Sequence, residues 1–250
     1  MLPILYQNKS LVLYSYPLFM GLGWGLAYQV FFELLPVNFH RWKGQTLFWG
    51  IFLFAWIGAK VLFLYTAPNY LSRSLFQQSS FWLGGGFVFY GGFLGGLLFL
   101  VILRGLKFSV KKEILWSIVP ALTLGHAVGR FGCFLAGCCY GKVTDLIWGI
   151  HLHGEKRHPT QLLEFSFLLI LGIYLLKAKS KQAQIIPIYL LSYGFIRLFI
   201  EALRGDLIRG NWVWLSPSQW ISCGLIISGI LILVRNYNHL NRLNQKNQVF

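Results

Sequence analysis

The chain has 250 residues, 56% of them hydrophobic and 12% charged, with a mean hydropathy of +0.59 and a formal net charge of +15. Soluble domains carry about 25% charged residues, so this composition excludes an ordinary water-soluble globule. No basic-aromatic nucleic-acid motif is present, and the positive charge is assigned to loops at a membrane rather than to nucleic acid.

A helix crossing about 30 Å of hydrocarbon needs about 20 apolar residues. On that length, spans are predicted at 11–35, 45–68, 81–103, 116–137, 160–177, 185–203 and 217–234, with 235–250 as a short solvated tail. The expected fold is an all-α integral membrane protein, a bundle of about seven transmembrane helices in which residues 1–250 form a single domain. The stretch Met1–Leu18 lacks a basic n-region followed by a small-residue cleavage site, so the first span is read as retained. The loops at 36–44, 104–113 and 177–184 and the C-terminal segment are richer in Lys and Arg than the alternate set. Because Lys and Arg accumulate in the cytoplasm, the expected orientation is N-terminus out and C-terminus in.

The third span carries Gly84, Gly85, Gly86, Gly91, Gly92, Gly95 and Gly96. The Gly91/Gly95 and Gly92/Gly96 pairs are small-xxx-small faces that permit close helix approach; the other reading is room for a lipid or an acceptor peptide beside Phe89 and Tyr90. No strand precedes the run and no Lys-Ser/Thr follows, which excludes a nucleotide-phosphate loop.

The fourth span contains His126 and Arg130 four residues apart, so they share a face. Gly129, Gly132 and Gly137 are each about 1 kcal/mol unfavourable in a helix against Ala, and they predict a broken helix lining a cavity. An arginine beside freed amides is a good anion site. The segment Arg157-His158-Pro159-Thr160-Gln161 opens the fifth span, with Glu164 one turn inside on the face of Thr160 and Gln161. Glu164 is read either as a structural acceptor or as a direct participant.

In the sixth span Tyr193, Arg197, Glu201 and Arg204 are spaced by four, four and three, forming one polar stripe on an otherwise apolar helix. An arginine at the centre of a span costs about 2.5–3.5 kcal/mol, so Arg130, Arg197 and Arg204 are expected to converge on an anion, an anionic phospholipid headgroup. Mutual neutralisation of Arg197 and Glu201 is the alternative, and it leaves a cation and a phenol over.

Cys133, Cys138 and Cys139 fit no CxxC zinc pattern. No metal and no cofactor is expected from the spacing. The thiols are read as small buried hydrophobes, with redox chemistry at the adjacent Cys138 and Cys139 as the other reading.

Taken in order, these segments resemble the bacterial prolipoprotein diacylglyceryl transferase family from about Tyr16 to Ser222. The family's Gly-Arg-x-Gly signature is similar to Gly129-Arg130-Phe131-Gly132, closing at Gly141. Its Arg-His-Pro-Ser-Gln-Leu-Tyr-Glu block resembles Arg157 through Glu164. Its Tyr-Gly-x-x-Arg-x-x-x-Glu-x-x-Arg helix resembles Tyr193, Gly194, Arg197, Glu201 and Arg204, and its Leu-Ser-x-x-Gln motif resembles Leu215 through Gln219. Tyr16 falls near the functional tyrosine of the family's first span.

The resemblance implies a seven-span enzyme of the bacterial cytoplasmic (inner) membrane. In the family, the diacylglyceryl group of phosphatidylglycerol moves to the thiol of a lipobox cysteine in a prolipoprotein signal peptide, releasing glycerol phosphate. Arg130 and Arg197 would then clamp the phosphate, Glu201 would orient Arg197, Tyr193 would hydrogen-bond the lipid, and Arg204 would hold the headgroup glycerol or guard the rim. Four positions depart from the family. Tyr90 stands where the family has a histidine often cast as base, leaving His126, His158 or Tyr90 for that role. Cys133 and Cys138 replace an asparagine and a glutamate, and Lys60 replaces an arginine. The competing functions are a paralogue with another acceptor, a non-catalytic phospholipid-binding or -moving protein, and a thiol-redox protein.

Overall fold

The computed structural model describes residues 2–8, 12–66, 89–106, 108, 112–178, 182–205 and 214–247. Seven helices lie among them: α1 (Ser15–Leu34), α2 (Arg41–Thr66), α3 (Phe89–Gly105), α4 (Lys112–Ala136), α5 (Thr160–Lys177), α6 (Gln182–Leu203) and α7 (Pro217–Asn247). Five stretches are long and apolar enough to cross a membrane: Arg41–Tyr65, Trp116–Ala136, Thr160–Lys177, Gln184–Leu203 and Pro217–Asn238. The protein is therefore an all-α, multi-pass membrane protein. Two small antiparallel hairpins accompany the helices, β1 (Ile4–Gln7) with β2 (Val12–Tyr14), and β3 (Ile150–Leu152) with β4 (Glu155–Arg157).

Three expectations need correction. Residues 12–14 form a strand rather than the start of the first span, and the helix begins at Ser15, whose hydroxyl and amide both donate to the Pro3 carbonyl. The last helix runs beyond the predicted span end at 234, since α7 continues to Asn247. No Gly or Pro follows Gly229 to stop it. Most importantly, α4 is not broken at Gly129 or Gly132 but runs unbroken to Ala136. It ends there in a Schellman turn, with Gly137 at φ +73, Gly137 N–H donating to Phe134 O (3.1 Å) and Cys138 N–H to Cys133 O (3.2 Å). Packing explains why Gly132 stays helical: a Cβ there would stand 2.6 Å from Cβ of Phe19, so this glycine lets α1 lie against α4.

The chain divides into two compact units, Met1–Ala27 with Leu115–Phe250, and Tyr28–Ile114. In the second unit α2 and α3 cross with backbones in close contact. A Cβ on Gly58 would run into the Gly91 carbonyl, and a Cβ on Gly95 into the Phe54 carbonyl. The Gly91/Gly95 face is thus the packing face, while Gly96 meets only Ile51 at 3.8 Å. Gly84, Gly85 and Gly86 lie outside the described residues.

The first unit has an inside-out polarity. Ala127, Leu168 and Tyr193 form an apolar core with Phe165, Tyr189, Ile196 and Leu225 packed around it. Large apolar side chains such as Ile170, Phe195, Phe199 and Leu231 point outward and are more than half exposed. Glu164, Gln161, Arg197 and Arg204 are buried instead. A helix bundle whose charges are inside and whose Phe, Ile and Leu are outside suits hydrocarbon, where ionisable groups must find partners within the protein.

Candidate functional site

Glu164 is the hub. It sits on the second turn of α5, 1% exposed, and four side chains from two other helices surround it. From α6, Tyr193 Oη donates to Oε1 (3.2 Å) and Arg197 Nη1 to Oε2 (3.1 Å). From α4, Arg130 Nη2 reaches Oε1 at 3.1 Å, and His126 Nε2 lies 3.9 Å from the same oxygen. Arg130 Nε also donates to His126 Nε2 (3.2 Å). That bond makes Nε2 an acceptor and leaves the imidazole proton on Nδ1. Spacings of four on α4 and on α6 put each pair on one helix face, and the interior position of Glu164 draws both faces together.

Arg197 extends the network. Its Nη2 donates to Glu201 Oε2 (2.8 Å) and to Ser218 Oγ (3.2 Å). Ser216 Oγ in turn donates to Glu201 Oε1 (2.9 Å). Ser216 is also the N-terminal cap of α7, accepting from Gln219 N–H (3.3 Å) while its own N–H donates to Gln219 Oε1 (2.8 Å). With Pro217 at the first helical position, Ser216-Pro217-Ser218-Gln219 is a capping box. The Leu-Ser-x-x-Gln motif therefore starts α7 and delivers two hydroxyls to the arginine-carboxylate centre. Ser216 and Ser218 were not among the expected site residues. Their signal was that motif, read as a likeness without the capping chemistry that gives it a purpose. Tyr189, also unexpected, stacks on Tyr193 with centroids 5.7 Å apart and rings 6° from parallel.

A second cluster forms where the loop after α4 meets the end of α6. Lys142 N–H donates to Leu203 O and Gly205 N–H to Tyr140 O, setting Gly141 opposite the buried Arg204 in an antiparallel bridge. A Cβ on Gly141 would stand 2.5 Å from His158 Cβ and 2.6 Å from His158 O, so only glycine fits. Arg157 lies over the Tyr140 ring at 4.7 Å, donates to the Gly141 carbonyl (3.4 Å) and pairs with Glu155. Gln161 Nε2 donates to Cys138 O (2.6 Å) and Thr160 Oγ1 to Cys139 O (2.8 Å), which pins the loop to the start of α5. Three buried side-chain polar atoms have no partner among the described residues: Arg157 Nε, His158 Nδ1 and Gln161 Oε1. All three come from one five-residue segment. Buried polar atoms are nearly always paired, so these three have hydrogen-bonding capacity left for a further polar group.

The remaining expected residues fall as follows. Gly132 serves the α1–α4 contact, whereas a Cβ on Gly129 would meet only Met20 Sδ, at 3.4 Å. Tyr16 is half-buried in the first turn of α1, its carbonyl 3.6 Å from where a Gly132 Cβ would stand. The Tyr90 side chain lies outside the described residues. Tyr193 hydrogen-bonds Glu164, so its hydroxyl is a strut of the centre.

A multi-pass helical membrane protein with two arginines from different helices held on one buried carboxylate is the class these features define. The family model for prolipoprotein diacylglyceryl transferase matches residues 3–235, and the chain belongs to that family. It is 38% identical over 160 residues to a phosphatidylglycerol–prolipoprotein diacylglyceryl transferase of Clostridium tetani, covering 60% of this chain and 64% of that one. It is 33% identical over 208 residues to the enzyme of that name from Finegoldia magna, covering 80% and 81%. Against phosphatidylglycerol–prolipoprotein diacylglyceryl transferase 2 of Clostridium perfringens the figures are 32% over 205 residues, 77% and 76%.

Proposed function

We propose that Arg130 and Arg197 receive the phosphate of phosphatidylglycerol, with Arg204 and the Arg157–Gln161 segment around its headgroup. The protein is a membrane transferase moving diacylglyceryl from phosphatidylglycerol to prolipoprotein, and these residues are assigned roles in that transfer. The observation that carries the assignment is the sharing of Glu164 by Arg130 and Arg197. Guanidinium groups brought to one carboxylate from two helices form a planar donor array of the kind that holds phosphate oxygens.

In the transfer, the cysteine sulfur of the acceptor attacks the glyceryl carbon next to the phosphate ester oxygen. A carbon–sulfur bond forms, the carbon–oxygen bond breaks, and its electron pair leaves on glycerol phosphate. Preorganised guanidinium groups aimed at the departing phosphate stabilise the charge as it grows, and paired N–H donors hold the diester in line. Arg197 is fixed for this by Glu164, Glu201 and Ser218.

The thiol must lose its proton, since the thiolate is the nucleophile. Among the imidazoles, His126 already accepts from Arg130 at Nε2, whereas Nδ1 of His158 has no partner among the described residues. We assign the proton to His158 and give His126 the role of positioning Arg130. The acceptor approaches with its lipobox cysteine from the outer face of the cytoplasmic membrane, the protein's N-terminus lying outside and its C-terminus inside. Transfer of labelled diacylglyceryl to a lipobox peptide, by the parent and by Arg197→Ala, tests the reading.

A further inference from the structure

The loop that closes the site carries a second constellation, built from sulfur. The Sγ atoms of Cys133, Cys138 and Cys139 all lie within 4.8 Å of one another. Cys133 is on the last turn of α4, and the Schellman turn at Gly137 folds the chain back so that Cys138 and Cys139 face it. Spacing alone concealed this, because Cys133 and Cys138 are five residues apart and match no linear metal motif. The three-dimensional route is the reversal itself: Cys138 N–H returns to the Cys133 carbonyl, and the Cys138 thiol lies 3.6 Å from that same oxygen.

The loop is held in this form from outside. Cys139 has φ +62, in the left-handed region that a non-glycine residue occupies at a cost of order 1–3 kcal/mol. Thr160 grips the Cys139 carbonyl and Gln161 the Cys138 carbonyl. If the cysteines served only as small apolar fillers, nothing would require three sulfurs to converge. Three convergent thiols within this distance are able to serve together as metal ligands.

We infer that Cys133, Cys138 and Cys139 form a three-thiolate site for one soft d10 metal cation, Cu(I) in preference to Zn(II). With metal–sulfur bonds of about 2.3 Å, a trigonal site sets its sulfurs about 4.0 Å apart, inside the 4.8 Å within which the three Sγ atoms lie. Thiolate ligands select soft ions. Structural Zn(II) sites want four protein ligands, and among the described residues the group contains no fourth His, Cys, Asp or Glu. Binding replaces three thiol protons by the metal, so the complex is anionic, and Arg130 one turn before Cys133 lies on the same helix to offset it. A loaded site would brace the loop whose carbonyls Gln161 and Thr160 hold.

The experiment is a Cu(I) titration of the full-length protein, purified reduced in detergent, in competition with a chromogenic Cu(I) chelator. The parent is expected to take up one equivalent, with an X-ray absorption spectrum of sulfur-only coordination near 2.3 Å. Cys223→Ser, which removes the one cysteine outside the cluster, should bind as the parent does. Cys133→Ser and Cys139→Ser should each lose at least tenfold in affinity. The inference is overturned if the parent binds less than half an equivalent, or if the triple serine variant competes as well as the parent. Nitrogen ligands in the spectrum would also overturn it, as would a disulfide between two of the three cysteines in protein prepared without oxidant. The spectrum of the parent decides the matter even if a serine variant does not fold.

Discussion

Arg130 and Arg197 hold opposite oxygens of one carboxylate, Arg130 Nη2 on Glu164 Oε1 and Arg197 Nη1 on Oε2, each at 3.1 Å. The two cations arrive on different helices, α4 and α6, and α5 supplies the anion between them. Neither arginine has Glu164 to itself, and Arg197 also pairs with Glu201, so α4, α5 and α6 are tied into one charged network.

Removing the hub should cost more than removing a rim contact. Glu164→Ala leaves two buried guanidinium groups without their shared counter-ion, and breaking a buried pair from one side typically costs about 3–5 kcal/mol. A lowered midpoint of thermal unfolding in detergent is the expected readout. Glu164→Gln keeps the shape and one acceptor oxygen, and its midpoint should fall between those of the parent and Glu164→Ala.

Two glycines of the signature should behave differently. Gly141→Ala drives a methyl into both the side chain and the carbonyl of His158; overpacking of this kind costs about 1–3 kcal/mol. Gly129→Ala meets only the flexible Met20 thioether at 3.4 Å and gains about 1 kcal/mol of helix propensity. Denaturation of the two variants side by side should show the first destabilised and the second unchanged or more stable.

The assignment of the proton separates two histidines. His158→Gln should lower kcat by about 10²–10⁴-fold, the usual contribution of a general base, with little change in KM for the lipid. His126→Gln loosens Arg130 and should appear chiefly as a raised KM. Steady-state kinetics with lipid and peptide varied in turn distinguish the two patterns.

Orientation is tested on the loops. In a variant with Cys133, Cys138, Cys139 and Cys223 replaced by serine, a single cysteine at Asp145 should react with an impermeant thiol reagent from outside intact cells. One at Leu106 should react only after the cells are opened.

Much of this was legible in the residues. Spacings of three and four on the sixth span put Tyr193, Arg197, Glu201 and Arg204 on one stripe, and apolar length located seven helices. What spacing could not show was the hub. Glu164 reads as one carboxylate among apolar neighbours, and its weight comes from three helices meeting at it. The glycines of the fourth span misled for a related reason. Their helix cost is local and real, but a contact with Phe19 some 113 residues earlier, visible only in the packing, keeps Gly132 helical. The meeting of three thiols depended on a left-handed turn at Gly137, a conformation that sequence permits without announcing.

The most direct test is diacylglyceryl transfer in vesicles containing labelled phosphatidylglycerol and a peptide with a lipobox cysteine. The parent should attach label to the peptide and release glycerol phosphate. Arg197→Ala, checked for folding, should lose activity by about a hundredfold or more, the scale of losing one preorganised donor, and Arg197→Lys should recover little, because one ammonium cannot serve Glu164, Glu201 and Ser218 together. Transfer by a folded Arg197→Ala protein at the parent's rate, or none by the folded parent, would contradict the account.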